Sequence, residues 1–137
     1  MNPTRAAGAI VFRRTEHGVR LLVLRAAANW DFPNGGLEPG ETEFDAAQRE
    51  VAGETGLADL DFPFGDAHRE ALPSADGKIA SYYLAEPDEA EVQVPPPALG
   101  RTQHDDWRWV SFDEAEDPLP PRLALVLDWV RATLDGR

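Results

Sequence analysis

The sequence predicts an α/β fold of the α+β kind, in which a mixed central sheet lies between helical layers. Two apolar runs precede a central amphipathic helix, further strand patterns follow that helix, and a second amphipathic helix closes the chain. At 137 residues the chain has the usual length of one domain. Residues 1–137 are therefore expected to form a single domain.

The first two strands are predicted from apolar runs on either side of a polar turn. Residues 6–12 and 19–24 are mainly apolar, whereas residues 13–18 between them are mainly charged or polar. This pattern predicts a hairpin. Residues 29–40 are rich in Gly, Pro and Asn, so they predict a structured loop whose backbone can approach a ligand closely.

A central helix is predicted over residues 42–55. Thr42 is a suitable N-cap, and Asp45, three residues later, takes the acidic position of a capping box. Gly56 can adopt the left-handed conformation that ends a helix, whereas Gly53 costs about 1 kcal/mol of stability relative to alanine inside one. The apolar stripe between these signals comprises Phe44, Ala46, Ala47 and Val51.

Four strands and a terminal helix are predicted beyond the central helix. The strands fall at residues 60–65, 70–72, 78–86 and 107–110. Residues 87–103 contain three consecutive prolines and predict a stiffened loop. The helix is predicted over residues 121–134, where an apolar face follows a Pro-Pro pair.

Charge and composition exclude several classes of function. The chain carries 25 Asp and Glu residues against 13 Lys and Arg residues, a formal charge of -12, so no general nucleic-acid binding is expected. The absence of cysteine excludes disulfides, thiolate nucleophiles and cysteine-ligated zinc. No apolar run approaches about 20 residues and no basic start precedes an apolar stretch. We therefore expect neither a membrane span nor a secretory signal, and a cytoplasmic location.

Two glutamates on the predicted central helix form the first candidate site. Residues four apart project from one face of an α-helix, so the side chains of Glu50 and Glu54 reach one volume. Carboxylates that close raise one another's pKa unless a cation lies between them, and their hard oxygen donors suit Mg²⁺ or Mn²⁺. An isolated pair of this kind is more often a solvated acidic face, so the spacing alone is a weak signal.

A longer spaced pattern contains this pair. Residues 35–57 satisfy the pattern G-x5-E-x7-R-E-U-x-E-E-x-G-U, where U is aliphatic, at every fixed position except Gly53, which replaces a glutamate. The matching residues are Gly35, Glu41, Arg49, Glu50, Val51, Glu54, Gly56 and Leu57. The segment resembles the Nudix box, the motif of the Nudix hydrolase family. The resemblance implies a Nudix-type α/β/α sandwich and an enzyme that hydrolyses a nucleoside diphosphate linked to another group.

The resemblance also implies roles for individual residues. Glu50 and Glu54 match the glutamates that bind Mg²⁺ or Mn²⁺, and the backbone carbonyl of Asn34 is implied as a further ligand. Glu41 and Arg49 match a supporting ion pair between loop and helix, which completes the implied catalytic set of four side chains. Glu50 or another glutamate is implied to accept a proton from the attacking water.

Segments outside the box resemble the diadenosine tetraphosphate hydrolase branch of the family. They comprise residues 5–14, 30–33, 82–86 and 104–110. In that branch an aromatic side chain stacks on adenine, and strand alternation lets only one of Tyr82 and Tyr83 face the cleft. Tyr82 is the preferred candidate, and half-buried positions in the sheet are the alternative for both tyrosines.

Further substrate contacts are assigned on the same resemblance. The other candidate substrate-binding residues are Arg5, Gly35, Gly36 and His104. For His104 the alternatives are a role as an acid or base near neutral pH and a hydrogen bond with a loop, of which the second is favoured. The basic residues considered as phosphate contacts are Arg5, Arg13, Arg69, Lys78 and Arg101.

Four positions depart from the family pattern. Asn34 and Gly36 replace a Lys and a His that the branch directs at phosphate. Gln103 replaces a glutamate and is a neutral candidate for a metal ligand. The fourth departure, Gly53 in the box, removes a carboxylate and implies lower activity or a steeper metal requirement.

The predicted function is magnesium-dependent hydrolysis of a phosphoanhydride in a small nucleotide, with diadenosine tetraphosphate giving ATP and AMP. Residues 32–36 also resemble the loop of bacterial RNA pyrophosphohydrolases, so a nucleoside triphosphate or an RNA 5′ end is the alternative substrate. A third hypothesis is a nucleotide-binding module that has lost catalysis through Gly53 and Gln103. The chain is expected to act as a monomer or homodimer.

Overall fold

An eight-stranded mixed sheet lies at the centre of the described molecule. The computed structural model describes residues 4–57, 59–88 and 104–135. Its strands are β1 (Arg5–Thr15), β2 (Gly18–Ala26), β3 (Asn29–Asp31), β4 (Asn34–Gly36), β5 (Leu60–Asp61), β6 (His68–Glu70), β7 (Ile79–Pro87) and β8 (His104–Val110). Its helices are α1 (Glu43–Thr55), α2 (Phe112–Glu116) and α3 (Ala124–Asp135), and a 3₁₀ turn, Pro121–Leu123, leads into α3.

Strand β1 is the central strand of the sheet. Its first half lies between β4, which is antiparallel to it, and β7, which is parallel. Its second half pairs antiparallel with β2. β3 and β8 pair with β2, whereas β5 and β6 pair with β7. The predicted hairpin and the predicted mixed sheet are both confirmed.

Several short elements differ from the prediction. The segment predicted as a loop over 29–40 contains β3 and β4, and the strand predicted over 60–65 is reduced to the two residues of β5. β6 lies slightly before the predicted strand at 70–72, and α2 was not predicted. Short strands of this kind form through pairing with distant strands, which local composition does not encode. Residues 89–103, most of the predicted proline loop, lie outside the described residues.

Helix α1 begins and ends at the predicted signals. Thr42 Oγ1 accepts a hydrogen bond from the N–H of Asp45 at 3.1 Å. Gly56 follows the last turn with a φ of 76°, and its N–H donates to the carbonyl of Ala52 at 2.9 Å. The apolar stripe is buried through Ala46, Ala47 and Val51. The helix predicted over 42–55 is confirmed.

Alternate residues of β1 face opposite helical layers. Ala9 and Val11 pack with Val51 of α1, whereas Ile10 and Phe12 belong to the core cluster that contains the buried face of α3. That face consists of Val126, Leu127, Val130 and Leu134. The predicted α/β/α layers and terminal helix are thus confirmed, with the first turn of the helix in 3₁₀ form. Within the described ranges, no helix has both the length and the apolar character needed to cross a membrane.

Candidate active site

Glu50 lies directly against the backbone of Gly35. A Cβ atom placed on Gly35 would be 1.8 Å from Glu50 Oε2, so a side chain at this position would displace the carboxylate. The Glu50 side chain is 14% exposed. Helix α1 therefore brings Glu50 onto β4, and two residues that the sequence places in the site meet there.

Glu54 is buried one helical turn further along α1. It is 7% exposed, and its Oε1 accepts a hydrogen bond from the N–H of Asn34 at 3.2 Å. Burial raises the pKa of Glu54 to about 8, and the negative charge of Glu50 adds to the rise. Both carboxylates therefore face β4, as their spacing of four residues predicts.

Arg49 and Glu41 clamp the glycine-rich loop to α1. Arg49 Nε and Nη2 donate to the two carboxylate oxygens of Glu41 at 2.7 and 2.9 Å, and Nη2 also donates to the carbonyl of Gly36 at 2.9 Å. Glu41 Oε1 accepts a further hydrogen bond from the N–H of Glu38 at 2.8 Å. The guanidinium of Arg49 lowers the pKa of Glu41 to about 2. The predicted pairing of these two side chains is present in the structure.

The donor set around Glu50 and Glu54 fits a divalent metal that binds together with substrate. Over the described ranges, no three Asp, Glu, His or Cys side chains gather into a complete metal centre. Mg²⁺ does not require one, because it is commonly held by one or two carboxylates together with water and substrate phosphates. A buried carboxylate beside a second carboxylate is stabilised in its charged form by such a cation. Asn34 meets Glu54 through its N–H, and the role of its carbonyl as a ligand stays a prediction.

Tyr82 does not present a ring face to a cleft, so the prediction that it stacks on a base is wrong for this structure. Its side chain is 0% exposed, its hydroxyl donates to Asp31 Oδ1 at 2.8 Å, and its ring contacts Phe32 edge to face. Tyr83 is also buried, between Phe44 and His68. β7 is covered on both faces by packed side chains, so both tyrosines belong to the sheet core.

A polar network around Asp31 was not predicted. Asp31 accepts hydrogen bonds from Tyr82, from Arg122 Nη2 at 2.7 Å and from Asn34 Nδ2 at 3.2 Å. Lys78 Nζ donates to Asn34 Oδ1 at 3.1 Å. The members come from β3, β4, β7, the turn before β7 and the turn before α3. Because Tyr82 and Arg122 lie 51 and 91 positions from Asp31, no local pattern in the sequence reveals the network.

The remaining predicted residues have separate environments. Arg5 forms an ion pair with Glu70 at 2.7 Å. His104 begins β8 and is half-buried, and this burial lowers its pKa. Gly36 is exposed, and a Cβ atom placed on it would meet nothing within 4 Å. Gln103 lies outside the described residues.

A groove of about 520 Å³ runs beside the Asp31 network. Trp30, Pro73 and Pro121 are among its apolar lining residues. Asp31, Arg122, Ser74 and Asp76 are among its polar groups. The groove therefore shares Asp31 and Arg122 with the network that reaches Asn34 and, through it, Glu54.

The mixed sheet between two helical layers, the glycine-packed Glu50 and the Arg49–Glu41 clamp together define the Nudix class of fold and site. The chain matches the family model described as "NUDIX domain" over residues 2–130. It belongs to the Nudix family and is a Nudix hydrolase. The predicted family, fold class and enzyme class are confirmed.

Relatives in the family carry two kinds of name. The chain is 32% identical over 123 residues to a bis(5′-nucleosyl)-tetraphosphatase (asymmetrical) of Sus scrofa, with 81% of each chain covered. It is 33% identical over 101 residues to an RNA pyrophosphohydrolase of Legionella pneumophila, covering 64% of this chain and 58% of that protein. A crystal structure of a C. elegans Ap4A hydrolase binary complex superposes with a TM-score of 0.86 and 26% identity, over 98% of this chain and 99% of that one.

Proposed function

We propose that this Nudix hydrolase cleaves a dinucleoside polyphosphate asymmetrically in the presence of Mg²⁺ or Mn²⁺, with diadenosine tetraphosphate giving ATP and AMP. The observation that carries the proposal is the pair of carboxylates on α1, with Glu50 held on Gly35 and Glu54 buried beside it. The names of the similar tetraphosphatases support the substrate class.

The proposed reaction is attack of water on a phosphorus of the anhydride. The bond from that phosphorus to the bridging oxygen breaks, the leaving phosphate takes the electron pair, and Glu50 accepts the proton of the attacking water. Glu50 and Glu54 would hold the metal, which when bound would neutralise phosphate oxygens and polarise water. Arg49 and Glu41 keep α1 against the loop, so that Glu50 retains its place on Gly35.

The groove beside Asp31 is the proposed place for one nucleoside. Trp30 lines the groove with an aromatic side chain, over whose ring the guanidinium groups of Arg25 and Arg108 lie at 5.8 and 4.9 Å. Asp31, Asp76 and Arg122 supply polar groups suited to a ribose and a phosphate. Aromatic walls with a few fixed polar groups are typical of nucleotide pockets. Trp30 thus replaces the buried Tyr82 as the proposed contact for the base.

Lys78 and Arg122 are the proposed source of positive charge for the polyphosphate. Lys78 Nζ lies 3.1 Å from Asn34 Oδ1, and its charge acts on Glu54. Arg122 lines the groove. These two cations compensate for Asn34 and Gly36, which stand where the branch carries a Lys and a His.

The alternative candidate is a pyrophosphohydrolase of nucleoside triphosphates or of RNA 5′ ends. The similar RNA pyrophosphohydrolase of Legionella pneumophila favours it. A charge of -12 opposes it for long RNA, because a negative protein surface repels the phosphate backbone.

Product analysis separates these candidates. The purified protein is incubated with Mg²⁺ or Mn²⁺ and with diadenosine tetraphosphate, ATP, a nucleoside diphosphate sugar or 5′-triphosphorylated RNA, and products are resolved by ion-exchange chromatography. We expect ATP and AMP from the dinucleotide at the highest rate. Faster release of pyrophosphate from ATP or RNA would support the alternative. Binding by calorimetry without turnover under either metal would support a non-catalytic nucleotide-binding module.

A further inference from the structure

The carboxylate of Asp31 joins three parts of the fold. Its Oδ1 accepts hydrogen bonds from the N–H of Phe32 at 2.7 Å and from the hydroxyl of Tyr82 at 2.8 Å. Its Oδ2 accepts from Arg122 Nη2 at 2.7 Å and from Asn34 Nδ2 at 3.2 Å. One side chain therefore connects the loop before β4, the buried strand β7 and the turn that leads into α3.

The environment makes these contacts strong. The Asp31 and Arg122 side chains are each 20% exposed, and Tyr82 is fully buried. Hydrogen bonds to a charged, shielded carboxylate are stronger than those between neutral groups. If the Asp31 carboxylate moved away, its buried donors would lose their acceptor, which costs free energy. The network therefore resists local rearrangement.

Asn34 connects this network to the carboxylate pair. Its side-chain amide donates to Asp31 and to the carbonyl of Phe32 at 2.8 Å, and its Oδ1 accepts from Lys78. Its own N–H donates to Glu54 Oε1 at 3.2 Å. One residue, Asn34, therefore links Asp31 to Glu54.

We propose that Asp31 is a positioning residue that fixes Asn34, and through it Glu54, relative to the turn before α3. The inference rests on the proposed function, because it concerns the affinity of the Glu50–Glu54 pair for a divalent metal. Among the described residues Asp31 shares no hydrogen bond or ion pair with either carboxylate, so its structural link to Glu54 runs through Asn34, beside the direct effect of its charge on Glu54. Residues that support metal ligands in this way commonly change metal affinity by about 10- to 100-fold when altered.

The test is the substitution Asp31→Asn in the full-length protein. The amide oxygen still accepts from Tyr82 and Phe32, but the new NH₂ group faces the donors of Arg122 and Asn34. We expect the dissociation constant for Mn²⁺, measured by electron paramagnetic resonance without substrate, to rise about tenfold. Asp31→Glu, which retains the carboxylate, is expected to recover part of the affinity.

The matched control is Asp113→Asn on α2. It also removes an Asp–Arg pair, with Arg131 at 3.2 Å, but its side chain is 92% exposed. We expect no change in Mn²⁺ affinity for this variant. A folded Asp31→Asn protein with a lower melting temperature and the wild-type Mn²⁺ affinity would overturn the proposal and leave Asp31 a purely structural role.

A second variant tests the same proposal if Asp31→Asn does not fold. Arg122→Gln removes the 2.7 Å ion pair and leaves the carboxylate in place, so a smaller rise in the same dissociation constant is expected. An unchanged constant would overturn the inference. If the wild-type protein binds Mn²⁺ but hydrolyses none of the substrates, the proposed substrate fails while the positioning role is still tested. A wild-type protein that binds no Mn²⁺, either alone or with diadenosine tetraphosphate present, overturns both proposals.

Discussion

At the scale of single residues, Gly35 leaves no room for a side chain beside Glu50. Because a Cβ atom there would be 1.8 Å from Glu50 Oε2, Gly35→Ala must push the carboxylate off β4. Misplacement of a reacting group by about 1 Å can cost about 10²-fold in rate. We expect a loss of that order in the turnover rate at saturating Mg²⁺.

Gly53→Ala is the matched control, since the residue is exposed and an added Cβ atom would meet nothing within 4 Å. We expect its turnover rate to stay within about twofold of wild type, because its backbone and fold are unchanged. Equal losses in the two variants, both shown folded by circular dichroism, would contradict the assignment of Gly35 as the support for Glu50.

Glu41 gives a second prediction at this scale, for stability as a function of pH. Arg49 holds the pKa of folded Glu41 at about 2, below its ordinary value of 4.5. The clamp therefore stabilises the folded state fully above about pH 4.5, and its contribution is lost as the pH falls towards about 2. Glu41→Gln should remove this part of the pH dependence.

Urea unfolding between these pH values measures the effect. Glu16→Gln, an exposed change on the β1–β2 turn, serves as the control and should follow wild type. If Glu41→Gln lost as much stability on acidification as wild type, the Arg49–Glu41 pair would have no role in acid sensitivity.

At the scale of elements, substitutions at Gly53 on α1 test the consequence of the box glutamate that this residue replaces. Gly53 is exposed, and a Cβ atom placed on it meets nothing within 4 Å. Gly53→Ala should therefore raise the free energy of unfolding by about 1 kcal/mol through helix propensity alone. Gly53→Glu should in addition lower the Mn²⁺ concentration that gives half-maximal rate, because it restores a carboxylate of the box. A Glu variant that matched the Ala variant in metal dependence would show that position 53 has no part in metal binding.

Local signals account for the elements that the sequence predicts well. Thr42 and Gly56 mark the ends of α1 by their own conformational preferences, so its bounds were predictable. α2 carries a complete capping box between Ser111 and Glu114, a signal present in the sequence and not used in the prediction. β3 and β4 exist through pairing with β2 and β1, and residues in a Gly- and Pro-rich loop give no sign of that pairing.

The candidate site likewise contains residues that a local motif predicts and residues that only the folded chain brings together. The spacing of Glu50 and Glu54 and the Arg49–Glu41 pair follow from one continuous motif, so their meeting was predictable. Tyr82 was misjudged because strand alternation gives two faces without saying which face other elements cover. The Asp31 network depends on contacts over 51 and 91 positions, which only the folded chain brings together.

At the scale of the whole molecule, layer order and formal charge bear on the proposed class of substrate. The sheet holds the glycine loop against α1 on one side, and α3 with its preceding turn closes the other. The similarity to a C. elegans Ap4A hydrolase structure extends over 98% of the chain at 26% identity, so the architecture is retained while most residues differ. A small, compact nucleotide suits a protein whose formal charge is -12 better than a long polyanion does.

The central claim is tested most directly by the rate at which the Glu50→Gln variant hydrolyses diadenosine tetraphosphate. Asp45→Asn, an exposed carboxylate-to-amide change on the same helix, is the control. Loss of a carboxylate that binds metal and accepts the proton should lower kcat by about 10²-fold or more, while Asp45→Asn stays near wild type. Equal kcat values for folded Glu50→Gln, Asp45→Asn and wild-type proteins would contradict the claim that the carboxylate pair on α1 is the catalytic site.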